Sequence, residues 1–99
     1  MNLRSFRTTL ADPAPPADLG LALQTLWWDA KGDWQQAHGI AQDDTSPDGS
    51  AVHAYLHRVE GDLGNAGYWY SRAGRPKCND PLSVEWESLA TEFLGHHAG

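Results

Sequence analysis

His53 and His57 stand four residues apart in a segment of helical spacing, so their imidazoles lie one above the other on a helix. That spacing suits two ligands of one transition-metal ion, or an acid–base pair working with a carboxylate. Glu60 lies one turn beyond His57, and His38 sits on the preceding helical segment, from which it can come near the pair. The same residues suit a plainer role, each ring donating to a backbone carbonyl or to Asp, Glu or Tyr in helix packing. The chain has no His-Glu-x-x-His pattern and no second strong ligand pair.

A second group is cationic. Arg72, Arg75 and Lys77 cluster near Tyr68 and Tyr70, and such a group can bind a carboxylate or phosphate. It equally suits a helix C-terminus, where the backbone dipole favours cations. Trp28 falls at the edge of its helix's apolar stripe, which makes it a candidate interface aromatic or a boundary packing residue. Cys78 is the single cysteine, so no intramolecular disulfide is possible, and no motif around it marks a nucleophile. Gly61-Asp62-Leu63-Gly64 lacks the strand, the Lys and the Ser or Thr of a phosphate-binding loop.

The elements that position these residues are helices. Asp18 is a candidate cap for a first helix with Leu19, Leu23, Leu26, Trp27 and Ala30 at helical spacing. Gly32 ends it, and Asp33 caps a second helix with Trp34, Ala37, Ile40 and Ala41 on its apolar face. Ser46-Pro47 opens a third, carrying Val52, Tyr55, Leu56 and Val59 and stopping at Gly61. Asp62 caps a fourth with Leu63, Ala66, Trp69, Tyr70 and Ala73, broken at Gly74-Arg75-Pro76. Asp80-Pro81 begins a fifth, with Leu82, Trp86, Leu89, Ala90 and Phe93 in one stripe. The tail from Gly95 to Gly99, with its His96-His97 pair, is expected to fray. Prolines 13, 15 and 16 mark residues 1–17 as an extended arm ahead of a single helical domain over residues 18–99. Leu3, Phe6 and Leu10 are the arm's means of docking.

Ninety-nine residues, 40% of them hydrophobic, fit one globular domain. Seven Lys and Arg against thirteen Asp and Glu leave a net charge of −6, which argues against nucleic acid and against an anionic membrane surface. No apolar run approaches the roughly 20 residues of a membrane span, and Met1 to Arg7 holds no apolar signal-peptide core. The expectation is a soluble cytoplasmic protein.

The two halves align at a shift of 29 residues. Gly32-Asp33-Trp34 falls on Gly61-Asp62-Leu63, Ala37 on Ala66, Ile40 on Trp69, Leu23 on Val52 and Trp27 on Leu56. A fixed shift with matched roles is the mark of stacked helical hairpins, which bury their apolar faces only against one another. The string Gly61-Asp62-Leu63-Gly64-Asn65-Ala66-Gly67-Tyr68-Trp69-Tyr70-Ser71-Arg72-Ala73 resembles the turn and second helix of the tetratricopeptide and Sel1-like repeats. The resemblance spans residues 19–75 and implies two antiparallel hairpins plus a C-terminal capping helix, five helices in all. It implies a non-enzymatic protein–protein interaction module without cofactor or metal. In the first helix of each hairpin, Gln24 and Trp28, or His53 and His57, stand where the family carries apolar residues. Those four, with Arg72 and Arg75, are the candidate contacts for a peptide or protein partner. The alternative is a small metal- or ligand-binding protein, or an enzyme, centred on His38, His53 and His57. An apolar end left by two and a half hairpins also admits a homo-oligomer.

Overall fold

The computed structural model describes residues 1–96, and His97, Ala98 and Gly99, with the frayed end expected there, lie outside the described residues. The described residues form six α-helices and one 3-10 turn, with no strand. The helices are α1 (Leu3–Thr8), α2 (Leu21–Ala30), α3 (Trp34–Asp43), α4 (Pro47–Glu60), α5 (Leu63–Ala73) and α6 (Leu82–His96). None is long and apolar enough to cross a membrane.

The sixth helix is α1, where an extended arm was expected. Asn2 starts it by accepting a hydrogen bond from the Ser5 backbone N–H at 2.8 Å. Phe6 is 0% exposed and stacks on Trp86 with ring centroids 5.8 Å apart. After the 3-10 turn Thr9–Ala11, the Trp27 indole N–H donates to Thr9 Oγ1 at 3.0 Å, and Lys31 donates to the Leu10 and Asp12 carbonyls. The prolines restrict only the stretch they occupy, residues 13–16. They leave the residues before Asp12 free to fold back onto the core.

Two further boundaries differ from expectation. α2 starts at Leu21 with Gly20, not Asp18, as its cap residue, and Gly20 offers no side-chain hydrogen bond. α6 continues through Gly95 to His96, whose Nδ1 lies 2.9 Å from Asp48 Oδ2.

The turns between α2 and α3 and between α4 and α5 are near copies. Gly32 and Gly61 have φ of +83° and +89°, the left-handed conformation that glycine adopts without penalty. Asp33 N–H donates to the Trp28 carbonyl at 3.0 Å, and Asp62 N–H to the His57 carbonyl at 2.8 Å. Asp33 then caps α3 by accepting from Gln36 N–H, and Asp62 caps α5 by accepting from Asn65 N–H. α4 opens on Ser46, which accepts from Gly49 N–H at 3.0 Å, with Pro47 in its first turn.

α4 is the central helix, buried from Gly49 to His57 and touched by α2, α3, α5 and α6. The main core joins Phe6, Leu23, Leu26, Trp27, Val52, Leu56, Leu89 and Phe93, and Ala37 and Ala41 bring α3 close. A smaller cluster of Ala54, Ala66 and Tyr70 lies between α4 and α5. Leu63 and Leu82, both expected on apolar faces, open their helices and are exposed. Below the core, buried Glu85 accepts from Arg58 and from the Tyr70 hydroxyl, each at 2.5 Å. That pairing gives the carboxylate the partners a buried charge requires.

Candidate metal centre

The three histidines meet where α3 crosses α4. On α3, Trp34 and His38 are one turn apart and stack with centroids 4.5 Å apart and planes 11° from parallel. The Trp34 indole N–H is anchored on the Leu56 carbonyl at 3.0 Å, which fixes the platform under His38. On α4, His53 and His57 stack at 5.0 Å. Trp69 of α5 lies against the His53 ring at 3.9 Å and 10°. Two indoles therefore wall in three imidazoles.

The polar atoms converge inside those walls. His38 Nε2 is 3.1 Å from His53 Nε2, and His57 Nδ1 is 3.0 Å from Glu60 Oε1. One ligating nitrogen from each histidine lies within 4.8 Å of the other two. His53 is 3% and His57 7% exposed, while His38 is half-buried. His53 Nδ1 is buried without any hydrogen-bond partner, an uncommon state for a polar atom in a folded core.

Electrostatics keep two of the rings neutral. Burial, with His38 and His57 adding to it, pulls the His53 imidazole down to about 4. Burial and the neighbouring His57 also lower His38, against an opposing pull from Glu60. Neutral imidazole is the form that offers a lone pair to a metal. Glu60 occupies Nδ1 of His57, leaving its Nε2 as the free nitrogen, and a carboxylate behind a ligating histidine is the usual orienting arrangement. Asp62 lies within the same short range of His57 and Glu60, but both its oxygens accept from Asn65 at the start of α5.

Of the residues singled out from sequence, the structure gathers His38, His53 and His57. Arg72 is joined to them only through Trp69: its guanidinium lies 5.1 Å from that ring and donates to the Tyr68 hydroxyl. Gln24 donates to the Leu19 carbonyl at 2.7 Å, and Trp28 packs edge-on against Trp27. Arg75 forms a two-pronged ion pair with Glu92. None of these last three has a hydrogen bond or ring contact with the histidines. The roles of Trp34 and Trp69 as walls were not foreseen. The four-residue spacing of Trp34 and His38 was a readable sign of the first.

No known protein family, curated protein or solved structure matches the chain.

Proposed function

We propose that the protein binds one transition-metal ion between α3 and α4, with His38, His53 and His57 as ligands and zinc as the best-suited ion. The observation that carries this reading is the convergence of three imidazole nitrogens, one from each ring, between the Trp34 and Trp69 indoles. Ligand nitrogens in tetrahedral zinc sites sit about 2.0–2.1 Å from the ion and so roughly 3.3 Å from each other. The 3.1 Å between His38 and His53 is close to that spacing. Imidazole donors suit zinc, copper and nickel, and burial favours the neutral, lone-pair-bearing form of His38 and His53.

Metal content decides it. Protein purified without a His tag, stripped with chelator and titrated with Zn²⁺, is expected to take up one ion per chain. His53→Ala and His57→Ala are each expected to abolish stoichiometric uptake. Uptake by His53→Ala equal to that of the unsubstituted protein would sink the proposal.

A second reading follows the turn geometry. The matched Gly-Asp turns and the α2–α3 and α4–α5 pairs support a degenerate tandem of tetratricopeptide-like hairpins that binds a protein or peptide partner. Leu63 and Tyr68 on α5, 67% and 54% exposed, are the apolar side chains such a partner would cover.

A further inference from the structure

Away from the histidines, a cleft of about 460 Å3 opens where α1, α2, α4 and α6 meet. That volume lies within the range of small-molecule sites. Leu10, Ala30 and Trp86 give it an apolar lining. The Trp86 N–H is already committed to the Leu26 carbonyl at 3.0 Å, so the indole offers the cleft its carbon atoms.

Asp29 is the polar group that stands out in this lining. Its Oδ2 accepts from the Tyr55 hydroxyl at 2.8 Å. Asp29 takes part in none of the ion pairs among the described residues. The cations in its neighbourhood are engaged elsewhere. Lys31, two residues on, gives its ammonium to the Leu10 and Asp12 carbonyls. Arg7, at the cleft's rim, pairs with Glu87 at 3.2 Å and lies over Trp86. Burial pushes the Asp29 carboxyl up from its ordinary value, opposed by the Tyr55 hydrogen bond. A half-buried carboxylate without a counter-ion is costly to a fold unless something else supplies the charge.

We propose that this cleft binds a small organic amine, its ammonium paired with Asp29 and its apolar body lying against Leu10, Ala30 and Trp86. Shape alone would admit a neutral molecule of the same size. The unpaired carboxylate selects the cation.

Matched probes test this on the whole chain, with chelator present so that metal binding plays no part. Binding of 2-phenylethylamine, hexylamine and tryptamine is followed by amide chemical shifts, beside 2-phenylethanol and phenylacetate as neutral and anionic analogues. At least one amine is expected to bind saturably, shifting Asp29, Ala30 and Trp86. The alcohol is expected to bind about tenfold more weakly or worse. Asp29→Asn keeps an acceptor for Tyr55 and is expected to fold, with amine affinity reduced to that of the alcohol. Equal binding of 2-phenylethylamine and 2-phenylethanol by the unsubstituted chain would overturn the proposal, whatever Asp29→Asn does. So would undiminished amine binding by Asp29→Asn, or no saturable binding of any of the three amines.

Discussion

The α2–α3 pair and the α4–α5 pair turn on the same backbone and differ in what the turn carries. At the matched positions three before the glycine stand Asp29 and Arg58. Arg58 is fully answered: it donates to Glu85 and to the Asp80 carbonyl. Asp29 is answered only by a hydroxyl. One position further back, Trp28 packs on its neighbour Trp27, while His57 joins a cluster of three imidazoles. Polar groups that are compensated hold the fold together. Those left without a counter-charge or gathered with like groups, Asp29 and the rings of His38, His53 and His57, are where the molecule has capacity for a ligand.

The largest effect should come from breaking the compensated side. Glu85→Ala leaves Arg58, whose side chain is only 14% exposed, facing a vacated site, and leaves the Tyr70 hydroxyl without an acceptor. Removing one partner of a buried ion pair costs about 3–5 kcal/mol. Urea unfolding should show that loss, and a midpoint within error of the unsubstituted protein would mean the Arg58–Glu85–Tyr70 group is not a structural clamp. Asp29→Asn, at the matched turn, has no such partner to strand.

A smaller effect separates the two small residues that let the helices approach. Ala37 is wholly enclosed in the main core. Ala66 is buried too, but it borders a cleft of about 270 Å3 with Tyr70, Lys77 and Cys78 along its wall. Overpacking a filled core costs about 1–3 kcal/mol. Ala37→Leu should fall at the upper end of that range and Ala66→Leu at the lower, because the cleft can take up part of the added volume. The reverse order, measured by urea midpoints, would show that the α4–α5 contact is the tighter one.

Local chemistry made much of the fold legible. Gly32, Gly61 and Gly74 mark helix ends, and Asp33, Asp62 and Ser46 mark starts, because caps and left-handed turns depend on residues a few positions apart. α1 was not legible in that way. Its burial rests on Phe6 meeting Trp86, eighty residues away, and the prolines nearby pointed to extended chain. The candidate site divides along the same line. Four-residue spacing put His53 and His57 together, whereas the approach of His38 depends on how α3 crosses α4. That Asp29 lacks a counter-ion depends on Lys31 and Arg7 turning to other partners, which spacing does not record.

The smallest contrast concerns the turns themselves. A Cβ built on Gly32 or on Gly61 meets nothing within 4 Å, so an alanine there meets no steric obstacle. What remains is the backbone term. Holding an L-residue in the left-handed region costs about 1–2 kcal/mol, and asparagine, whose short side chain bonds locally, tolerates it better. Gly32→Ala and Gly61→Ala should therefore lower stability by similar amounts, and Gly32→Asn and Gly61→Asn by less. The two φ values differ by only a few degrees, so the turns offer no backbone reason for unequal losses. A Gly61→Ala loss far above that of Gly32→Ala would mean the second turn is coupled to something the first is not. The neighbour to suspect is His57, whose carbonyl holds that turn closed through Asp62 N–H while its ring sits among the histidines. In that case Gly61→Ala should also weaken zinc uptake, and Gly32→Ala should leave it unchanged.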